Sequence, residues 1–465
     1  MGTLVCFSTG VEAQVLRDTG APLANTKSAP TPIQYPDDYF FNLQPLGAGL
    51  GRSLANYGVY INGRTFNNAV EQPSGGVRKG TFYEGYTLLG VDLDMNRIAG
   101  IHGGALHFYV NDMNGINYFK YSGALYPFNR VWSYNAASRL NEFSYEQRLF
   151  DDRVDVRVGR LPPGPEFDFS STYCRIVTGF CAVPAPYAYA KGYPAYNTAS
   201  WAGVLQVKLT NAYYVNAGVY ENEPALATVN HYGWPGEDWS SDKARGAVFP
   251  VQFGYRTSYT NDLYPKSYDI GFFYNTGDYT DSLYNTQGKI LAFSGGTPQL
   301  DHGNSGLWAQ GEQVLWRPDP TNDRGLSAFG GVNIATSGQN NIRDTFSGGL
   351  SVKGLFEARP HDTINFAAMY MALNDEFVDA QNDKLLAHKI NGSMASSEAF
   401  AEVNYQLALA PGTYFQPFFD YIWHPDEVGL ATPNPTVTHA VFVGAAISVA
   451  FPEALGLPRL ARFGS

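Results

Sequence analysis

From Gly51 onward the apolar residues do not recur with a helical period. They fall on every second position in segments of about 10 to 15 residues, the spacing of strands with two unlike faces. The last segment is the plainest case. Val441, Val443, Ala445, Ile447, Val449 and Phe451 form one apolar face, and Phe442, Gly444, Ala446, Ser448 and Ala450 form another of mostly small residues. Elsewhere the second face is polar. Val154, Val156 and Val158 alternate with Asp155 and Arg157, Leu205, Val207 and Leu209 alternate with Gln206 and Lys208, and Val403, Tyr405 and Leu407 alternate with Glu402, Asn404 and Gln406. A slip of one residue would turn each such segment inside out, so the pattern sets the register.

Sixteen segments of this kind are predicted, near residues 54–64, 81–95, 101–112, 139–150, 153–161, 201–210, 212–222, 251–259, 266–275, 305–317, 325–336, 344–356, 362–373, 396–409, 413–423 and 438–451. The connections alternate in length. Tight links at Asp151-Asp152, Asn211, Asp319 to Asp323, Ala358 to His361 and Pro411-Gly412 carry turn-forming residues. Long links cover 65–80, 113–138, 162–200, 223–250, 278–304, 374–395 and 424–437, with a shorter one at 337–343.

An even strand count with short turns on one rim and long loops on the other is the pattern of a barrel that closes within a membrane. The predicted fold is therefore all-β: a sixteen-stranded antiparallel transmembrane β-barrel with long outer loops and short periplasmic turns. A Lys or Arg at the lipid-facing midplane costs about 2–4 kcal/mol, which turns the polar faces toward the lumen. Sixteen strands leave that lumen wide enough for water. A soluble sandwich, propeller or β-helix also alternates, but strands this long would then expose apolar patches, and no repeat of roughly 20–50 residues supports a propeller.

Composition agrees. Only 16% of the 465 residues are charged, against about 25% in soluble domains. The 32 Tyr, 30 Phe and 7 Trp suit rings with one apolar side and one wet edge. A net charge of −11 with no basic stripe argues against nucleic acid. Mean hydropathy is −0.23 and no apolar run approaches the roughly 18 residues of a membrane helix, whereas alternating strands average out to mild polarity.

Enzyme signatures are poor. His102 and His107 lack an HExxH context, the Gly47 to Gly51 stretch precedes a strand rather than a helix, and there is no GxSxG elbow. Neither a cofactor nor a metal is expected. Carboxylates paired for glycoside hydrolysis would be distant in sequence and stay open. Residues 1–13, a short apolar stretch ending Val-Glu-Ala, read as a signal-peptide remnant expected to begin upstream. Loss of that segment removes Cys6 and leaves Cys174 and Cys181, six residues between them, as a disulfide or as two buried thiols.

Several stretches resemble the carbohydrate-selective porins of the OprB type. They are RSLANYGVYINGRTFN (Arg52 to Asn67), GTFYEGYTLLGVDLDMNRIAGIHGGALHFYV (Gly80 to Val110), GRLPPGPEFDFS (Gly159 to Ser170) and QPFFDYIWHP (Gln416 to Pro425). The resemblance implies an outer-membrane channel for passive diffusion of mono- or small oligosaccharides. It brackets a barrel at 52–451, preceded by a periplasmic extension or partial plug at 14–51 and followed by a tail at 452–465. Barrels of this kind usually end on an aromatic residue, whereas here Phe451 is followed by Pro452 to Ser465. Either the assembly signal works internally or the tail alters insertion. Implied partners are small sugars, outer-membrane lipid and lipopolysaccharide, and the barrel-assembly machinery.

In sixteen-stranded porins a long third loop folds into the channel, which points to 162–200 here. This loop holds both Cys174 and Cys181 and the rings of Phe167, Phe169, Tyr173, Phe180, Tyr187, Tyr189, Tyr193 and Tyr196. Such rings either stack on sugar faces or pin the loop to the wall. Alternation places Arg64, Glu146, Arg148, Asp155, Arg157, Lys208 and Arg256 in the lumen, as a mixed-charge eyelet or as wall salt bridges. Arg160 joins them as a candidate, although its parity is outward at the rim. The alternatives are a general or anion-preferring pore, and a secreted β-rich carbohydrate-binding protein or glycosidase.

Overall fold

The computed structural model describes residues 47–116, 118–125, 137–162, 166–168, 170, 172–177, 198–227, 231–337, 340–425 and 434–461. Sixteen antiparallel strands close into one barrel in chain order, with the first paired to the last. They are β1 (Val59–Gly75), β2 (Gly80–Asp94), β3 (Gly104–Gly115), β4 (Ala137–Leu149), β5 (Val154–Leu161), β6 (Ser200–Lys208), β7 (Tyr213–Glu221) and β8 (Ala247–Arg256). The second half comprises β9 (Lys266–Asn285), β10 (Pro298–Trp316), β11 (Gly325–Ala335), β12 (Ile342–Lys353), β13 (Thr363–Leu373), β14 (Ser397–Ala410), β15 (Thr413–Trp423) and β16 (His439–Ala450). Every strand therefore has two hydrogen-bonded neighbours, and no strand edge is left bare.

The alternation holds along the wall. Val158, Leu205, Val403 and Ile447 are exposed on the outside, while Asp155, Gln416, Asp420 and Ser448 are buried on the inside. At the short-turn rim, Asp151 and Asp152 take φ of 54° and 59° in the β4–β5 turn. Cations tie neighbouring turns together there. Arg317 Nη1 donates to the Leu263 carbonyl at 2.8 Å, and Arg359 Nη2 to that of Ala408 at 2.7 Å.

The largest departure from the sequence reading is at the start. Residues 48–56 form a helix, α1 (Ala48–Asn56), across the expected boundary at 52, and the first strand begins only at Val59. Residues 65–75, expected as a long link, are strand, and four residues connect β1 to β2. The polar run that suggested a loop is satisfied across strands. Asn68 Nδ2 donates to Glu84 Oε1 at 3.0 Å, and Tyr83 OH to Asn67 Oδ1 at 2.7 Å. The turn falls instead at Gly75 and Gly76, with φ of 67° and 65°. β9 and β10 also run on beyond their expected ends into the link at 278–304. The link after β13 contains a helix, α4 (Asp375–Ala387), that the strand pattern did not anticipate. The short helices α2 (Met95–Ala99), α3 (Leu291–Ser294) and α5 (Phe451–Leu455) complete the set, and α3 packs against α4.

β16 stops at Ala450, and the tail folds back along the short-turn rim to α1. Gly47 N donates to the Leu455 carbonyl at 2.9 Å. A Cβ on Gly51 would stand 2.8 Å from Pro458 Cδ, so this close approach requires glycine. The two ends of the described chain thus meet beside the β1–β16 seam.

Candidate functional site

The described part of the loop after β5 enters the barrel and is tied to its inner wall strand by strand. Arg157 Nη1 on β5 pairs with Glu166 Oε1 at 2.8 Å, and Asn216 Nδ2 on β7 donates to the Glu166 carbonyl at 2.6 Å. Asp168 N donates to Gln252 Oε1 on β8, and Ser170 Oγ to Glu312 Oε2 on β10, each at 2.8 Å. Tyr173 OH meets Ser347 Oγ on β12 at 2.8 Å. The Arg175 carbonyl accepts from Asn404 and Gln416 on β14 and β15, and Val177 N donates to Glu402 Oε1 at 2.8 Å. Each bond is modest alone. Together they hold the described residues of this segment inside the lumen.

The rings of this segment face the wall. Phe167 is 1% exposed, edge-on to Tyr220 at 6.4 Å and packed over Gly218. Tyr173 is fully buried, edge-on to Phe329 at 4.7 Å. Neither presents a face to the channel, and of the two roles the sequence leaves open for these rings their burial fits pinning of the loop. Cys174 is buried and disulfide-bonded, and it packs with Phe66, Tyr86 and Met113 of β1 to β3. The segment therefore touches opposite walls. Phe169, Cys181, Phe180, Tyr187, Tyr189, Tyr193 and Tyr196 lie outside the described residues.

Of the expected eyelet charges, Arg64, Glu146, Arg148, Asp155, Arg157, Lys208 and Arg256 stand on inward positions. Register interleaves their signs: Glu146 is opposite Arg157, and Arg148 is opposite Asp155. Arg148 Nε lies 3.6 Å from Glu146 Oε1, and Arg157 Nη2 lies 3.9 Å from Asp155 Oδ2. His107, between Asp92 at 2.7 Å and Glu146 at 3.0 Å, braces the same wall. The Arg64 guanidinium sits 5.4 Å from the Phe66 ring centre. Arg256 and Lys208 are half-buried.

Arg160 is a correction. Its register partners Phe143 and Trp201 are outward, and Arg160 follows that parity. It escapes lipid because the β7–β8 link folds down the outside, with Trp239 stacked on Phe143 at 5.9 Å and edge-on to Trp201 at 5.4 Å. Beneath this cover Arg160 donates to the Ala199 carbonyl at 2.6 Å and pairs with Glu221 at 3.6 Å. It does not line the channel.

Sequence reasoning missed Asp168, Tyr214, Asp269 and Glu312. Asp269 accepts from Trp308 Nε1 at 3.2 Å and Gln310 Nε2 at 3.0 Å, and Arg256 lies 5.2 Å from the Tyr214 ring centre. Burial pushes the Asp168 carboxyl well above the ordinary carboxylate range, and the Asp269 charge adds to the shift. Inward Gly254 and Gly271, which open space for rings on the neighbouring strands, were the available signal. Among the described residues no group of three His, Cys, Asp or Glu could hold a metal ion.

Comparison with known proteins bears on this geometry. The profile of the carbohydrate-selective porin, OprB family, matches residues 78–451. Porin B of Pseudomonas aeruginosa is 25% identical over 358 residues, covering 73% of this chain and 77% of its own. A putative porin, QuiX, of Acinetobacter baylyi is 21% identical over 401 residues, covering 82% and 88%. A solved structure of OprB from Pseudomonas putida superposes with a TM-score of 0.78 at 22% identity, covering 87% of this chain and 96% of that one.

Proposed function

Because the chain belongs to the carbohydrate-selective porin OprB family, we propose that the described residues of 166–177, with inward Arg64, Glu146, Arg148, Asp155, Arg157, Lys208 and Arg256, form the constriction that selects its sugars. The chain is an outer-membrane porin, a channel rather than an enzyme, and sugars cross it by passive diffusion. The observation that carries the constriction is the train of bonds from Arg157 on β5 to Gln416 on β15, which keeps the loop in the lumen. Arg157 and Arg148 face Glu146 and Asp155 across neighbouring strands, so these two pairs nearly cancel as monopoles and leave directed donors and acceptors. That suits neutral polyols better than a ring of one sign, which would select ions.

On this reading mono- and disaccharides are the cargo, Cys181 is the partner of Cys174, and residues 14–51 lie on the periplasmic side. Outer-leaflet lipopolysaccharide surrounds the barrel, and the barrel-assembly machinery inserts it. Proteoliposome swelling with a panel of mono- and disaccharides, run beside salt conductance, tests the reading. Swelling rates that discriminate among sugars of equal size are expected. Rates that follow size alone, with no block of ion current by any saccharide, would replace it with a general diffusion pore.

A further inference from the structure

The barrel wall is lowest at β5, β6 and β7, which have 8, 9 and 9 residues where the other strands have 10 to 20. A strand that crosses a membrane needs about 9–11 residues, so this side has no height to spare. Its upper outward row carries two charges, Arg160 and Glu221, on either side of Trp201, and Trp201 N donates to Glu221 Oε2 at 3.3 Å. Bare contact of such a row with acyl chains is costly.

The β7–β8 link lies over that row as a flap. Trp239 covers Phe143 and Trp201, and the Trp234 ring centre is 6.4 Å from that of the outward Phe108. Whatever covers an outward ring from outside stands on the membrane side of the wall. Irregular backbone is tolerated beside lipid only where its polar groups are paired within the protein. Both backbone groups of Tyr232, Gly233 and Trp239 meet that condition. The Asp238 carboxylate accepts from Tyr232 N at 2.8 Å and Gly233 N at 2.7 Å, and Trp239 N donates to the Gly236 carbonyl at 3.2 Å. The carbonyls of Tyr232, Gly233 and Trp239 accept from Leu140 N, Trp239 Nε1 and Trp201 Nε1, each at 2.9 Å. The side chains left outside are amphipathic. Tyr232 and Trp234 are each 40% exposed, rings with an apolar face and a polar edge, while the exposed Glu237–Lys243 ion pair and Arg245 require water or headgroups.

We propose that the flap is a contact surface for outer-leaflet lipopolysaccharide, with Tyr232 and Trp234 seated at the boundary between its acyl chains and its phosphorylated glucosamine headgroup. These rings carry on the exposed outward surface of Phe108, Phe143 and Val158, so the lipid-facing belt runs unbroken across the flap. The flap thereby supplies the height that β5 to β7 lack and keeps Arg160 and Glu221 away from acyl chains. This surface presupposes lipopolysaccharide around the barrel, as read above, and is independent of which solute passes.

The test is photocrosslinking of the full-length chain in intact outer membranes, scored in the fraction that runs as the folded band on unheated gels. The photoreactive p-benzoylphenylalanine replaces one residue at a time: Tyr232 or Trp234 in the flap, the exposed outward Phe249 on β8, or the inward Tyr214. Both flap positions and Phe249 are expected to give lipopolysaccharide adducts in severalfold higher yield than Tyr214. Adducts at Phe249 without adducts at either flap position overturn the flap surface while lipopolysaccharide around the barrel stands. A covalent homodimer formed from the Trp234 position also overturns it and makes this face a contact between copies. If neither the flap nor Phe249 gives an adduct, the lipopolysaccharide setting itself fails and the flap surface with it.

Discussion

Arg157 and Val158 are adjacent on β5, yet they answer to different solvents. Val158 faces outward and is exposed, so its requirement is generic: any apolar side chain meets lipid equally well. Arg157 faces inward and binds Glu166 of one particular loop, so its requirement is a specific partner at a specific distance. The outer face states what it cannot contain, and the inner face states what it must touch. Substitutions on the two faces should therefore fail in different currencies, fold stability on one and channel behaviour on the other.

Phe167→Ala should have the largest effect. Removing a buried ring costs about 3–5 kcal/mol, here drawn from loop docking rather than from the barrel. Single-channel conductance should rise and sugar discrimination should fall, with the folded band on unheated gels unchanged; a narrower or unaltered channel would contradict the pinning role. Val158→Arg, the outer counterpart, should cost the barrel about 2–4 kcal/mol in a urea titration while leaving the sugar profile of surviving channels intact. Altered selectivity without loss of stability would invert the comparison.

Arg157→Gln should weaken docking by about 1–3 kcal/mol by stranding Glu166 beside Asp155, seen as noisier and higher conductance. Reduced barrel stability with a quiet channel would place Arg157 in the wall alone. The smallest effect is with pH. The Asp168 carboxyl is shifted upward in the docked loop, so its contribution to docking is complete below the ordinary carboxylate pKa of about 3.9 and is lost as pH rises through the raised value. Conductance should climb with pH in the wild type and lose that component in Asp168→Asn; identical pH profiles would rule Asp168 out as the titrating group.

The same contrast explains what could be read from the sequence. Strand existence, strand count and the facing of Val441 to Ala450 follow from a rule about lipid that applies at every second position, and they are legible without knowing any partner. The extent of β1 was not. Asn67 and Asn68 look like a turn until Tyr83 and Glu84 stand opposite them. α4 was hidden by the search for period two, although Asn374 caps it by accepting from Glu376 N. Arg160 has outward parity, and only the fold of the β7–β8 link over Trp201 makes that position habitable. Alternation put most of the charges on inward positions, but Asp168 and Tyr214 were passed over because Tyr214 takes its setting from Gly254 on the neighbouring strand and Asp168 from Gln252, 84 residues along the chain.

The meeting of α1 with the tail bears on how the molecule is made. β1 and β16 are the strands most distant along the chain, so zipping them together bears the greatest loop-closure entropy and is slow among the pairings. A hook between Gly47 and Leu455 holds these two extremities near one another at one end of the zip. Once the hook engages, the final pairing becomes a local event, and the cylinder, once shut, has a latch against reopening along that line.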